Sequence, residues 1–412
     1  MIHYRASWVL PIASPPIRDG VVHVEDGVIR GVDRSISGHD VDLGSVAILP
    51  ALVNAHTHLE LSWMRGLVKP GHSMPLWAER LMRLRAGEGK PQKNTETPPQ
   101  KNTEEHRRDE SAAAIAAARA AGTGLVGDVT NTFAAYEPLA QSGIGGAVFR
   151  ELLGFNPAAA ETVMADAEAE MARIPPNPRL NTTVVPHAPY SVSPALFALI
   201  AARAGGATMS IHLAESREEV EFLRTGRGEW RRILEMLGVW DDAWEVPGCG
   251  PVEYIARFGL VGPNLLAVHG VQFTDEELGV LARAGATVVA CPRSNKWTGA
   301  GEPPVERFYA SGVRVAVGTD SLASVEDLNV FAELAEMRRL APSVPARRLL
   351  ESATRTGANA LGFGTGFGTL EAGKRAAIIA VRIPRDVADV EEYLVGGVDP
   401  LDITWPETDV EP

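Results

Sequence analysis

Eight short apolar runs, near residues 47–55, 123–130, 144–152, 181–187, 207–212, 264–269, 286–291 and 313–319, alternate along this chain with helix-like stretches. Runs of that length bounded by turn residues read as buried strands, and strand–helix alternation is the pattern of βα units and a parallel sheet. Eight such units predict an α/β fold, a (β/α)8 TIM barrel, whose chemistry sits at the carboxyl ends of the strands. With 412 residues there is room for a smaller companion. Residues 20–32 alternate apolar and polar on both sides of Asp26-Gly27, the signature of a hairpin with a tight turn. A similar pattern returns after residue 367, with a strand-like run from Ala376 to Ile383. The expected organisation is a β-sandwich domain built from both termini, residues 1–48 and 364–412, around a barrel at 49–363.

Between the first two barrel strands, residues 86–110 are rich in Pro, Lys, Asn, Thr and Glu and carry a near-tandem duplication, Pro91–Pro98 followed by Pro99–His106. Such a stretch buries too little apolar surface to offset its ordering entropy, which predicts a mobile insertion. An alanine-rich helix from about Glu110 to Ala121 then resumes the barrel.

Composition narrows the class of function. Hydrophobic residues make up 45% and charged residues 22%, ordinary values for a chain with a large core. No apolar run reaches the roughly 18 residues that span a bilayer, and Met1 to Pro11 lacks the basic and apolar regions of a signal peptide. A cytoplasmic location is expected. Two cysteines, Cys249 and Cys291, make no disulfide framework. The net charge of -13 opposes nucleic-acid binding and offers no membrane-surface patch, which makes a small-molecule partner the expected one, with a homodimer left open.

Where the ten histidines fall is informative. His56 and His58 end the first predicted strand two residues apart, on one face. His187 follows the fourth strand, His212 the fifth and His269 the sixth. His-x-His alone could be a pair of turn residues, but imidazoles converging at strand ends suggest a metal. His212 is then a third ligand. Glu215, three residues on, is placed to shuttle protons, with a first-turn helix carboxylate as the alternative. Asp320 ends the eighth run, where a buried carboxylate calls for a cation; its alternative is a helix cap. Three histidines and an aspartate, without thiolates, describe a catalytic rather than a structural metal site.

In this order the stretches Pro50–His58, Pro186–Ser191, His212–Glu215, Val268–Gly270, Cys291–Asn295 and Gly318–Ser321 resemble the amidohydrolase superfamily. The likeness is to its branch of nucleobase and nucleoside deaminases and chlorohydrolases. The resemblance implies one divalent ion, usually zinc and in some members iron or manganese, held by His56, His58, His212 and Asp320. It implies that Glu215 moves protons, that His269 orients the nucleophile or polarises the leaving group, and that His187 touches substrate. No lysine stands at the end of the fourth strand, where binuclear relatives keep a carboxylated one, so the resemblance implies a one-metal site.

The chemistry this implies is hydrolytic deamination. A divalent ion brings the pKa of its water toward 7, Asp320 accepts the proton, and Glu215 protonates a ring nitrogen as hydroxide attacks the adjacent carbon and ammonia leaves. Residues 59–62, 152–155, 186–193, 319–324 and 327–330 look most like aminodeoxyfutalosine deaminases, which act on an amino-purine nucleoside on the futalosine route to menaquinone. Deamination of adenosine, S-adenosylhomocysteine or a free nucleobase is the alternative, followed by hydrolysis of an amide, ureide or halide, and then by a non-catalytic scaffold. Trp77 resembles a tryptophan that flanks the base, with helix packing as its alternative. Pro75 stands where relatives carry a ribose-binding glutamate, a role Glu60 could take. Arg150 could grip a substrate carboxylate or pair with a neighbouring acid. Arg293, Ser294 and Asn295 complete the pocket candidates.

Overall fold

The structure, a computed structural model, describes residues 1–34, 41–86 and 103–407. Its terminal strands are β1 (Ile2–Val9), β2 (Ile17–Glu25), β3 (Val28–Asp33), β4 (Val41–Asp42) and β5 (Val46–Pro50). The central strands are β6 (Leu52–Thr57), β7 (Thr123–Thr130), β8 (Gly145–Leu152), β9 (Leu180–Pro186), β10 (Met209–Leu213), β11 (Leu265–His269), β12 (Thr287–Ala290) and β13 (Arg314–Val317). Two late strands, β14 (Ile378–Arg382) and β15 (Ile403–Thr404), complete the set.

The first apolar run, read as one strand over 47–55, is two. β5 pairs with β1 and β14, whereas β6 pairs parallel with β7. The switch happens at adjacent amides: Ala51 N–H donates to Ala377 O, and Leu52 N–H donates to Gly122 O. One continuous apolar segment serves both sheets, and hydropathy alone does not mark the break.

β1 to β5, β14 and β15 form one seven-stranded sheet, in the order β15-β14-β5-β1-β2-β3 with β4 beside β1. The predicted hairpin is there, with Glu25 paired to Val28 and with Asp26 and Gly27 both at positive φ, as a type I′ turn demands. Alternation divides the sheet's faces. Ala47, Leu49, Ile379 and Val381 join the main core, while Ile48, Ile378 and Ala380 pack with Tyr4, Val22 and Ile29. Among the described residues the terminal strands form this single sheet.

The central strands form two four-stranded parallel sheets, β6-β7-β8-β9 and β10-β11-β12-β13, with helices between successive strands. β6, β7, β10, β11 and β12 are buried along their whole length, as expected of parallel strands covered on both faces. Backbone hydrogen bonds bridge the two sheets at their carboxyl ends. His212 N–H donates to His187 O at one junction, and the N–H groups of Thr319 and Asp320 donate to His56 O at the other. Among the described residues no helix is long and apolar enough to cross a membrane.

Of the expected mobile insertion, residues 87–102 lie outside the described residues. Its distal part is helical: the helix predicted from about Glu110 runs from Glu104 to Ala120. Thr103 caps it by accepting from His106 N–H, and Glu104 and Glu105 occupy the first turn. Cap and dipole thus start the helix earlier than its alanine content indicates.

Close approach at the second junction depends on Gly318. A Cβ there would lie 2.8 Å from the His56 Cβ and carbonyl oxygen and 2.9 Å from its nitrogen. Gly318→Ala is therefore expected to lose about 1–3 kcal/mol of unfolding free energy through overpacking. Urea denaturation measures this, and an unchanged midpoint would contradict the tight junction.

Candidate metal and active site

The strand ends carry their histidines into one cluster. Ring centroids of His56 lie 4.9 Å from His58, 5.0 Å from His212 and 5.7 Å from His269, and those of His187 and His212 are 4.9 Å apart. Asp320 closes the group, with Oδ1 3.6 Å from His58 Nε2 and 3.9 Å from His56 Nε2. His58 Nε2 faces His212 Nε2 at 3.2 Å.

Burial decides the charge state of these rings. It pushes His58 and His269 down to about 3, and His56 and His187 well below the usual imidazole range. Neighbouring imidazoles add to the shift of each. Neutral rings present bare nitrogen lone pairs. His212 Nδ1 lies 3.0 Å from His187 O, and a carbonyl only accepts, so Nδ1 holds the proton and Nε2 is the bare nitrogen turned to the cluster. Both nitrogens of His56 are fully buried and have no hydrogen-bond partner. A buried ring with both nitrogens orphaned is costly unless a cation takes up a lone pair. This donor set, three imidazoles and one carboxylate oxygen, fits a divalent ion of the zinc kind.

Asp320 is held from behind. Ser294 Oγ donates to its Oδ2 at 2.5 Å and Ser324 Oγ at 3.3 Å, which leaves Oδ1 for the imidazoles. Its backbone sits at φ 61°, and that of His269 at 76° and Ala214 at 52°. Positive φ at non-glycine residues is strained and persists only where the surroundings hold it. For Asp320 the brace is Thr57 Oγ1 donating to its carbonyl, alongside Asn54 and Thr319 bonded to each other. For Ala214 it is the buried Glu219 carboxylate, which accepts the N–H groups of both Ala214 and Glu215 at 2.9 Å.

Glu215 projects toward His269, with Oε2 3.7 Å from Nε2. Burial first, then Asp320 and Glu219, pushes its carboxyl well above the usual range, which favours the protonated form. Asn295 Nδ2 lies 3.0 Å from His269 Nδ1, which directs Nε2 of that ring to the site.

All this faces a cavity of about 190 Å³. His58, His187, His212, Glu215, His269 and Asp320 are among the residues that line it. Met74, Trp77 and Leu81 of the helix Met74–Arg85 form one wall, and Trp230, Ile233 and Leu234 of the helix Glu229–Met236 form another. Trp77 thus reaches the cavity.

Other expected contacts go elsewhere. Glu60 is 4% exposed, and its carboxylate accepts from Thr130 Oγ1, Asn131 N–H, and the N–H and Oγ1 of Thr132, clamping the loop after β7. Its oxygens are committed there, so it does not line the cavity. Arg150 donates Nε to Glu170 at 2.8 Å and Nη1 to the Glu151 carbonyl, so it is not a cavity residue either; the alternative of pairing with an acid is the one realised. Arg293 pairs with Asp327 and lies near Glu333. Ser294 and Asn295 are fully buried and act behind Asp320 and His269 instead of lining the cavity.

Sequence reading passed over Glu151, Asn131 and Arg85, which line the cavity beside His187 and His212. A signal for Glu151 existed. Neighbours in a strand point to opposite faces, and Arg150 is the one incompletely buried residue of β8.

Residues 47–398 match the profile of the Amidohydrolase family. Over 421 aligned positions, covering 95% of this chain and 89% of the relative, the chain is 28% identical to a 5-methylthioadenosine/S-adenosylhomocysteine deaminase of Moorella thermoacetica. It is 34% identical to an aminodeoxyfutalosine deaminase of Deinococcus radiodurans over 60% of this chain and 62% of that one. A crystal structure of an adenosine deaminase from Xanthomonas campestris with bound zinc superposes with a TM-score of 0.81 at 26% identity, over 98% of this chain and 90% of that one.

The strut under Glu215 has a pH signature. Burial pushes Glu219 up to about 8 from an ordinary 4.5, so the folded chain keeps a proton that the unfolded chain has released. The stability this contributes is complete below about pH 4.5 and is lost as pH rises through 8. Glu333, also pushed to about 8, adds a slope of the same sign. In chelator-treated protein, the melting temperature of Glu219→Gln is expected to fall less than that of the unaltered chain between about pH 5 and pH 8. Equal falls would contradict the assignment.

Proposed function

The chain belongs to the amidohydrolase family, and from that membership we propose that it is a metal-dependent deaminase of an amino-purine nucleoside. The observation that carries the reading is the orphaned, fully buried His56 beside His58, His212 and Asp320, with Glu215 and His269 across the same cavity. We take the two parallel sheets as arcs of one (β/α)8 barrel spanning 49–363, a reading supported by their hydrogen-bonded junctions.

His56, His58, His212 and Asp320 would hold one divalent ion, with zinc favoured by the donor set and by the zinc-bound structural relative. Such an ion acts as a Lewis acid and brings the pKa of water toward 7. Asp320 Oδ1, turned to the cluster because the two serines occupy Oδ2, accepts the proton of the attacking water. Glu215, protonated through burial, donates to the ring nitrogen next to the carbon under attack; Asp320 then passes the proton it took from water to the departing amine, and Glu215 recovers one from the hydroxyl that becomes the carbonyl. His269 presents Nε2 to the oxygen that gains charge, with Nδ1 held by Asn295. The outcome is replacement of the amino group by oxygen with release of ammonia.

For the substrate, Trp77 supplies a flat apolar surface for a purine, and the neighbouring apolar walls suit the apolar part of a 5′ substituent. Aminodeoxyfutalosine, and with it a place in menaquinone biosynthesis, is favoured by the 34% identical relative and by the substrate-side stretches. The 28% identical relative, aligned over nearly the whole chain, keeps 5′-methylthioadenosine and S-adenosylhomocysteine as the second reading.

Ammonia release from aminodeoxyfutalosine, 5′-methylthioadenosine, S-adenosylhomocysteine, adenosine, guanine and cytosine tests this, with one of the nucleosides expected to lead. Chelation should abolish turnover and added zinc restore it. Glu215→Gln should lower kcat by about 100- to 10 000-fold while nucleoside binding persists. Unchanged turnover in that variant would remove the proton-transfer role.

A further inference from the structure

We propose that Glu151, Asn131 and Arg85 form a hydroxyl-binding subsite that takes the vicinal diol of the substrate's sugar, an inference that rests on the nucleoside reading above. Glu151 is 3% exposed, lines the cavity, and has one oxygen, Oε1, that is buried and accepts no hydrogen bond. Oε2 is already committed to Asn131 Nδ2 at 3.1 Å. The donor next to Oε1 is His212 Nδ1 at 3.3 Å, but that nitrogen carries a single hydrogen, given to His187 O at 3.0 Å. A buried carboxylate oxygen without a donor is costly, and a ligand that supplies one recovers that cost on binding.

The surroundings specify the ligand's chemistry. Arg85 donates Nη1 and Nη2 to Asn131 Oδ1 at 3.2 and 3.3 Å, so Arg85, Asn131 and Glu151 form one chain along the wall. Arg85 Nη2 also lies 3.6 Å from Glu60 Oε1, so the chain has a charge-paired guanidinium at one end and an acceptor without a donor at its Glu151 end. A cationic ligand group would meet the guanidinium, and an anionic one would meet Glu151. A hydroxyl both donates and accepts, and two adjacent hydroxyls can satisfy both ends together. Glu151 lies one imidazole away from the reacting region, because the other nitrogen of the same His212 ring faces His58. That is where a sugar attached to the reacting base would sit.

Glu60 is bonded into the loop after β7 and offers the cavity no oxygen, so Glu151 of the third central strand, β8, is the carboxylate available on this wall.

Equilibrium binding of purine riboside and of its 2′,3′-dideoxy analogue to the zinc-loaded full chain tests the proposal, because neither probe carries an amino group to lose. Glu151→Gln is expected to weaken purine riboside by about 10- to 100-fold and the dideoxy analogue by less than about 3-fold. Glu151→Asp, which keeps the carboxylate on a shorter stem, should fall between and serves as the test if the glutamine variant does not fold. Equal weakening of both probes, or none, would overturn the subsite; equal weakening with loss of zinc would mean that Glu151 acts through His212. The two readings fail separately. If the unaltered chain releases no ammonia from any nucleoside while the probes are still discriminated, deamination is wrong and the subsite stands. If it deaminates normally without discrimination, the subsite alone is wrong.

Discussion

Five imidazoles share one buried space, and the physical condition for that is that they do not all carry charge. Burial and mutual proximity push His56, His58, His187 and His269 down, so lone pairs converge where protons would repel. A neutral cluster of this kind exposes unsatisfied nitrogen, most plainly at His56, and the carboxylate of Asp320 adds negative charge at its edge. The donor set therefore fits a cation, and the surrounding scaffold keeps the donors converged.

Much of that scaffold is backbone under strain. Ala214, His269 and Asp320 all leave their strands at positive φ, the turn that swings Glu215, the imidazole and the carboxylate toward one point. Each is restrained by buried polar groups: Glu219 for the Ala214-Glu215 amides, Asn295 for the His269 ring, and Ser294, Ser324 and Thr57 for Asp320. Gly318 allows β13 to approach His56 closely enough for the amides of Thr319 and Asp320 to share its carbonyl. The rest of the cavity lining comes from elsewhere, from two helices with apolar walls and from the ends of β7 and β8.

The central strands and the histidines at their ends were legible because both are local signals. An apolar run that ends in His or Asp announces a polar group at a strand terminus, and all five histidines so marked fall within the cluster. Signals that depend on what lies across the fold were not legible. Nothing near Ala51 shows that consecutive amides serve different sheets. Glu60 follows the His-x-His closely, yet Thr130 to Thr132, some seventy residues later, claim its carboxylate. Arg150 drew attention through its charge, while Glu151, its neighbour on the opposite strand face, is the one that reaches the cavity. Residues 104–110 looked unstructured by composition, but a threonine cap and first-turn acids start a helix there.

The convergence of His56, His58, His212 and Asp320 on one ion is the central claim, and anomalous scattering from crystals of the protein grown with zinc tests it most directly. Data collected on both sides of the zinc absorption edge should show a single strong peak within about 2.0–2.2 Å of one nitrogen from each of the three histidines and of an Asp320 oxygen. A peak bound elsewhere, or none in this cluster under saturating zinc, would contradict the account.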